Sequence, residues 1–151
     1  MKIVIQKVKE AKVIVDEKIV GEIGLGYCLL VGIEKSDTLP GIKRAADKIT
    51  TLRLFDDKEG KINLSIKDVE GSILSISQFT LAGDIKKGNR PSFTNAMSPD
   101  IANELYESFN KYLEDNGIKV EKGIFQTHMN VIINNDGPIT MIMEVKDGKV
   151  L

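Results

Sequence analysis

LGYCLLVGI, residues 25–33, is the longest apolar run in the chain. Strands with one wet face alternate between apolar and polar residues, whereas a continuous apolar run is typical of a strand that is buried on both faces. The sequence therefore predicts a central strand covered by other elements. The run of nine residues is far shorter than the roughly 20 that a membrane helix needs.

The segments on either side of this run predict two further strands and a helix. Residues 2–20 are rich in Val and Ile and alternate loosely in polarity, with a turn expected at positions 16–18, Asp-Glu-Lys. After the run, Ser36 or Asp37 can cap a helix. The apolar residues of that helix recur at spacings of three and four, and they are Leu39, Ile42, Ala45, Ala46, Ile49 and Leu52.

The rest of the chain predicts more sheet and one long helix. In chain order we expect a hairpin over 52–64, a strand over 72–81, an irregular segment over 82–96, a helix capped by Ser98 and closed by Gly117, and strands over 118–125, 128–134 and 139–145. Two helices among eight or nine strands predict a mixed α+β (α/β) fold, with curved, barrel-like β-sheets and both helices packed on one side. Since no linker or repeat interrupts the chain, residues 1–151 are expected to form one domain.

The composition excludes several classes of protein. With 42% hydrophobic residues and a formal net charge of −1, the chain is not a disordered one. The first residues, MKIVIQKVKEAK, are interrupted by charge every few positions, so they contain no signal-peptide core. A single cysteine, Cys28, excludes an internal disulfide. The cytoplasm is therefore the expected location, and no membrane association is predicted.

The overall charge of the chain does not indicate that it binds nucleic acid. Because 21 basic side chains face 22 acidic ones, contact with a polyanion requires a local patch. The best candidate contains Lys86, Lys87 and Arg90, three cations within five residues of irregular sequence. An ordinary solvated loop would have the same composition, so both interpretations remain open.

Familiar catalytic apparatus is missing. The one histidine, His128, falls in a predicted strand, where a structural or rim position is the commoner role. One cysteine and one histidine that are 100 positions apart do not supply the ligand set of a zinc site, so neither metal nor cofactor is expected. The serine hydrolase pattern G-x-S-x-G is absent.

Two polar segments stand out from the apolar strands. The first is Ser77-Gln78-Phe79-Thr80, at the end of a predicted strand and just before the cationic patch. The second is NNDGPIT, residues 134–140. Hydroxyls on one face of a pleated strand would explain the first segment, and a hairpin turn would explain the second. Neither segment alone indicates an enzyme.

Taken together and in this order, the segments resemble the D-aminoacyl-tRNA deacylases. Residues 1–38 are similar to the first third of that family, and LRLFDDKEGKINLSIKDV, SQFTLAGDIKKGNRPSF and NDGPIT are similar to its later blocks. SQFTL and NDGPIT are its two signature motifs. The chain departs from the family pattern at Gln126-Thr127, where a glycine and a small residue are expected at the rim of the site.

The resemblance implies the fold of these deacylases and a homodimer that hydrolyses the ester between a D-amino acid and the 3′ end of tRNA. It implies a cis Gly137–Pro138 bond in a loop of one subunit that enters the active site of the other. The residues that it assigns fall into three groups: Ser77, Gln78, Phe79 and Thr80 for catalysis, Asn135, Gly137, Pro138 and Thr140 for the chirality filter, and Lys86, Lys87 and Arg90 for tRNA. DNA is not an expected partner.

The physics of proofreading agrees with such a filter. A 10⁴-fold preference for the D-ester needs about 5.5 kcal/mol, whereas a side-chain pocket supplies only about 1–3 kcal/mol per methylene. A rigid backbone wall that clashes with an L side chain would accept many D-residues, and glycyl-tRNA as well.

Two points stay open at this stage. Thr80 could attack the ester, but no base is evident beside it, so the 2′-hydroxyl of the tRNA is the preferred alternative. A small-ester hydrolase that uses Thr80, and a dimeric RNA-binding module without activity, are the rival functions.

Overall fold

The computed structural model describes residues 1–151 and contains nine strands and two α-helices. The strands are β1 (Lys2–Val15), β2 (Lys18–Ile23), β3 (Gly26–Gly32), β4 (Arg53–Asp56), β5 (Ile62–Ser65), β6 (Ser72–Ser77), β7 (Lys119–Lys122), β8 (Asn130–Lys146) and β9 (Lys149–Val150). The helices are α1 (Leu39–Thr51) and α2 (Pro99–Asp115), and a short 3₁₀ turn spans Phe79–Ala82. No helix is both long and apolar enough to cross a membrane.

Seven of the strands form one mixed sheet. Six of them follow the order β7-β6-β3-β1-β8-β9, while β2 pairs with β1. The β3–β6 and β6–β7 pairs are parallel and the other pairs are antiparallel. The sheet curls into a half-barrel, so the predicted mixed α+β fold with two helices is confirmed. Strand β3 comes from the apolar run and is buried almost throughout, as its sequence predicts.

Both helices pack on one face of the sheet, where they build the larger core. Ile3 and Leu29 point to this side and contact a cluster that includes Ile42 of α1 and Phe109 of α2. A smaller cluster on the opposite face contains Val8, Cys28 and Leu74.

The ends of two elements show how far local sequence decides structure. Asp16 and Glu17 form the predicted turn between β1 and β2, both with φ above zero, as a tight two-residue hairpin requires. The predicted cap of α1 is wrong, because Thr38 and not Ser36 or Asp37 precedes the helix. The Asp37 carboxylate accepts hydrogen bonds from the Glu34 backbone N–H and from the Met1 amino group.

Strand β8 corrects a second prediction. The sequence predicts two strands that are separated by a turn at 134–140, but the structure has one strand of 17 residues that runs along β1. Gln6 pairs with Thr140 and Val8 pairs with Asn135, so four residues of β8 face one residue of β1. The Asn-Asp-Gly-Pro segment is therefore a bulge within a single strand.

The strand predictions around β6 and β7 are also too long. Strand β6 ends at Ser77 rather than at residue 81, because the 3₁₀ turn follows it. Strand β7 covers only Lys119–Lys122, and His128 lies in the loop that precedes β8 rather than on a strand. Both differences place polar residues at or beyond strand ends, where Ser77, Gln78, Gln126, Thr127 and His128 line one cavity.

Candidate functional site

A cavity of about 740 Å³ opens where β6 ends. Its walls come from the end of β6, from the first turn of α2 and from the loop that precedes β8, and they include Ser77, Gln78, Phe79, Phe93, Met97 and Phe125. Three of the four predicted catalytic residues therefore line one cavity. The fourth, Thr80, lies beside it and is exposed.

The backbone of the Ser-Gln-Phe-Thr segment leaves the sheet in two steps. The Gln78 N–H donates to the Val31 carbonyl at 2.7 Å, which extends the β3–β6 ladder by one residue. The chain then turns, and the Leu81 N–H donates to the Gln78 carbonyl at 3.2 Å. Because the first N–H groups of a helical turn have no partner inside it, those of Phe79 and Thr80 are not used by the turn.

Aromatic side chains form the mouth of the cavity. Phe79 is 58% exposed, and its ring meets that of Phe93 edge to face, with 5.2 Å between centroids. Phe93 was not among the predicted site residues, although it ends the SQFTLAGDIKKGNRPSF block. An exposed phenylalanine pair at a cavity mouth offers a surface for another planar group.

The loop that precedes β8 supplies the polar part of the rim. Gln126, Thr127 and His128 line the cavity, and Gln126 has a φ of 59°. The sequence indicates at Gln126-Thr127 only a departure from a family pattern, and it favours a structural or rim position for His128. His128 is the one titratable side chain in the cavity wall, which contains no carboxylate, lysine or cysteine. No group of three or more His, Cys, Asp or Glu side chains in the structure could hold a metal ion.

The cationic patch is anchored next to this mouth. Asp84 and Ser92 exchange backbone hydrogen bonds of 2.7 and 2.9 Å, and these bonds close the loop between them. Lys86, Lys87 and Arg90 are exposed on that loop, and none of them forms an ion pair with a carboxylate. The loop begins just after Phe79–Ala82 and ends at Phe93, so three free positive charges stand beside the cavity.

The second motif projects from β8 in the bulge. Gly137 and Pro138 are exposed and are joined by a cis peptide bond. Gly137 has a φ of 117°, and a Cβ atom at this position would lie 2.8 Å from Cγ1 and 3.0 Å from the backbone nitrogen of Ile139. Only glycine fits this backbone without strain.

Asn135 and Thr140 lie at the base of the bulge rather than at its tip. The Asn135 amide nitrogen donates to the carbonyl oxygens of Lys7 and Ile139, at 2.9 and 3.0 Å. Its oxygen accepts from the Thr140 hydroxyl at 3.2 Å and from the Gln6 amide at 3.5 Å. These two predicted filter residues therefore contact the strands and each other.

A buried lysine lies beneath the bulge. Lys7 is only 5% exposed, and its Nζ lies 3.7 Å from an Asp136 oxygen and 3.9 Å from an Asp56 oxygen. The same nitrogen lies 5.6 Å from the centre of the Phe55 ring. A buried ammonium needs such partners, so the pairing with Asp136 links the bulge to the sheet.

The two motifs are far apart within one chain. Ser77 pairs with Val31 and Asn135 pairs with Val8, so three strand spacings and about five residues of β1 separate them. With about 3.3 Å per residue and about 4.8 Å between strands, the path over the sheet is on the order of 20 Å. A single copy of the chain does not bring Gly137 and Pro138 to the cavity.

Titratable groups with shifted pKa values lie behind the site. Burial raises the pKa of the Cys28 thiol to about 12 and also raises that of the Tyr106 hydroxyl. The Tyr106 hydroxyl donates to the Ser75 carbonyl at 2.7 Å and so ties α2 to β6 beneath the cavity. These groups support the wall rather than face the cavity.

Comparison with known proteins identifies the family of this chain. The family model described as D-Tyr-tRNA(Tyr) deacylase matches residues 4–144. A protein of Lactobacillus acidophilus named D-aminoacyl-tRNA deacylase is 55% identical over 96% of this chain and all of its own length. One of the same name from Staphylococcus saprophyticus is 55% identical over the whole of both chains.

Two solved structures share the fold. One, the c-Myc DNA Unwinding Element Binding Protein, is 38% identical with a TM-score of 0.90 and covers 95% of this chain and 98% of its own. The other is described as a "probable eukaryotic D-amino acid tRNA deacylase". It has a TM-score of 0.81 at 18% identity, over 93% of this chain and 97% of its own, and shows the fold alone. The match across residues 4–144 and the full-length relatives lead to one conclusion: this chain belongs to the D-Tyr-tRNA(Tyr) deacylase family.

Proposed function

We propose that this chain hydrolyses the ester bond of D-aminoacyl-tRNA, releasing a free D-amino acid and tRNA, in sites that two copies of the chain build together. Membership of the deacylase family gives the reaction class, a hydrolase that acts on aminoacyl-tRNA. The observation that carries the rest is the separation of the two motifs, on the order of 20 Å over the sheet of one chain. Both motifs can act on one ester only if they come from different copies.

The open face of the sheet supports a pairing of two copies. Val4 pairs with Leu30 on one side and with Ile142 on the other, so three apolar side chains lie in a row on the face opposite the helices. Ile142 is 74% exposed. An uncovered apolar row beside the bulge is typical of an interface, and a second copy seated there would receive the Gly137–Pro138 loop.

The cavity suits the terminal adenosine of the tRNA. Its volume of about 740 Å³ and its mixed wall of aromatic, sulfur-bearing and amide side chains resemble those of small-molecule sites. Phe79 and Phe93 can stack against a base, as aromatic side chains do in single-stranded RNA sites. The free charges of Lys86, Lys87 and Arg90 would then meet phosphates of the acceptor stem.

Hydrolysis requires that the ester carbonyl is held in place and that a water molecule is brought to attack it. The N–H groups of Phe79 and Thr80 would stabilise the ester oxygen as negative charge develops on it. The cavity wall offers no carboxylate or lysine as a base, and His128 is its one imidazole. In this proposal His128 is not required, and the 2′-hydroxyl of the terminal ribose assists the attack of water. Gln78 orients that ribose.

The loop of the partner copy distinguishes D-aminoacyl esters from L-aminoacyl esters. Gly137 and Pro138 present backbone rather than side chains, so they form a wall beside the substrate Cα that an L side chain would strike. Their carbonyl oxygens accept hydrogen bonds from the α-ammonium of the substrate. A D side chain points away from this wall, and its identity has little effect.

The deciding experiment compares D-tyrosyl-tRNA with L-tyrosyl-tRNA, using purified protein and a chelator. Rapid loss of the D-ester alone supports the proposal. Equal cleavage of free D-amino acid esters without tRNA would favour a small-ester hydrolase, and tight tRNA binding without turnover would favour a binding module. A folded dimer that spares both esters contradicts the proposal.

Mixed dimers test the shared site directly. Gln78→Ala impairs the cavity and Gly137→Ala impairs the loop, so each homodimer is expected to have strongly reduced activity. If loop and cavity come from different copies, random mixing restores one intact site in each heterodimer, or about one quarter of the wild-type sites. A mixture no more active than its parents, in which native mass spectrometry detects heterodimers, contradicts cross-subunit sites.

A further inference from the structure

We propose that Asn135 is a positioning residue, which sets the location of the Gly137–Pro138 loop by closing the neck of the bulge and does not contact the substrate. This inference rests on the proposed function, because it explains how the loop is held for that function. We name Asn135, Thr140 and Gln6 together the neck clamp.

Asn135 is the centre of the neck clamp. One N–H donates to Lys7, the single β1 residue that faces the bulge, and the other donates to Ile139, the last residue of the loop. The side chain therefore joins both arms of the bulge to the opposite strand. The separation of the two arms is fixed by bonds of 2.9 and 3.0 Å.

The capacity of the amide explains why Asn135 is not available to a ligand. A side-chain amide has two N–H donors and an oxygen with two lone pairs. Both donors are used, and the oxygen accepts from Thr140 and Gln6. No bonding capacity remains for a substrate group unless the clamp opens.

Gln6 and Thr140 complete the clamp from two strands. They are direct partners in the β1–β8 ladder, and the Gln6 amide donates to the Thr140 hydroxyl at 3.3 Å as well as to Asn135. The ladder continues on both sides of the bulge, so β8 stays paired without the clamp. The clamp is thus expected to affect the loop more than the stability of the fold.

Asn135→Asp is the sharpest variant, because aspartate has the same shape and no N–H to donate. Asn134→Asp is its matched control, since it adds the same charge one position away at an exposed residue that forms no side-chain hydrogen bond. Thr140→Val removes the hydroxyl that donates to the Asn135 oxygen and should resemble Asn135→Asp.

The first measurement is the ratio of D-tyrosyl-tRNA to L-tyrosyl-tRNA deacylation rates. For Asn135→Asp we expect this ratio to fall about tenfold or more, the effect of one or two lost hydrogen bonds on a rate. Asn134→Asp should keep the parental ratio. If Asn135→Asp lowers both rates equally or leaves both unchanged, Asn135 has no positioning role.

The second measurement is amide hydrogen exchange in the peptide that contains residues 136–140, which requires no activity. Faster exchange in Asn135→Asp than in Asn134→Asp, confined to this peptide, supports the clamp, and equal exchange overturns it. A parent protein with no D-specific activity would contradict the proposed function. The exchange result would still decide whether the clamp exists.

Discussion

The side-chain amide of Gln78 donates a hydrogen bond to the hydroxyl oxygen of Thr80. An amide neither takes up nor releases protons near neutral pH, so this partner cannot activate Thr80 as a nucleophile. This hydrogen bond favours the second of the two mechanisms that the sequence left open. We expect Thr80 to orient Gln78, and we expect the attack on the ester not to come from the Thr80 hydroxyl.

Thr80→Ala is therefore expected to retain substantial activity, within about tenfold of the parent, which is the effect of one lost hydrogen bond. Single-turnover deacylation of D-tyrosyl-tRNA measures it. His128→Gln tests the one titratable group in the cavity wall and should also remain active. Complete loss in a well-folded Thr80→Ala protein would assign the nucleophile to Thr80.

Gly137→Ala should impair the site severely. Alanine is strained at a φ of 117°, and its Cβ would clash with Ile139, so the loop must move. Strain of about 1–3 kcal/mol, if realised in the transition state, lowers the rate roughly 5- to 150-fold. Gly148→Ala is the control, since Gly148 also has a positive φ but nothing lies within 4 Å of the added Cβ. Equal rates for parent and Gly137→Ala would contradict a wall built at this residue.

Glycyl-tRNA should be cleaved, because glycine has no side chain to meet the wall. The comparison is between glycyl-tRNA, D-alanyl-tRNA and L-alanyl-tRNA under identical conditions. We expect the first two to be hydrolysed and the third to be spared. Glycyl-tRNA that is as inert as L-alanyl-tRNA would refute a filter based on steric exclusion.

Removing the cations of the patch should weaken tRNA binding without changing chirality preference. A variant with alanine at Lys86, Lys87 and Arg90 loses up to three phosphate contacts, so the slope of log K against log salt should become shallower by about 2 to 3. The control variant removes three exposed cations from the two helices, Lys43 and Arg44 of α1 and Lys111 of α2. An unchanged slope in the patch variant would mean that these side chains do not meet the tRNA.

The Cys28 thiol should be unreactive in the folded protein. It is fully buried, and burial raises its pKa to about 12, so almost no thiolate exists at mildly alkaline pH. Titration with a thiol reagent should show no reaction until urea unfolds the chain, and then one equivalent. Rapid labelling of the native protein would indicate that the smaller core opens readily.

The sequence correctly predicted the elements that are determined by their own residues, such as the turn at Asp16 and Glu17 and the buried strand β3. Asp16 and Glu17 sit between two alternating segments, and the hairpin forms there as expected. The apolar run of β3 likewise contains its own reason for burial, because no polar residue interrupts it.

The errors come from long-range pairing. Asn, Asp, Gly and Pro in residues 134–140 are turn residues, but β1 is long enough to pair with both flanking segments and makes them one strand. The hydrogen bonds of Asn135 reach Lys7 and Gln6, more than 120 positions away, and no spacing within its own segment indicates these partners. His128 and Phe93 enter the site for a similar reason, since the cavity exists only where α2 packs beside β6.

The pairing of β1 also has a consequence for synthesis on the ribosome. Lys2–Val15 is translated well before Asn130–Lys146, yet one of its edges is paired only by that later strand. Until β8 is synthesised, the Val- and Ile-rich strand β1 has an unpaired edge, and unpaired strand edges promote aggregation of nascent chains. Contacts between residues so far apart in the sequence also slow folding. This deacylase thus completes its own sheet only after β8 has been synthesised, long after β1.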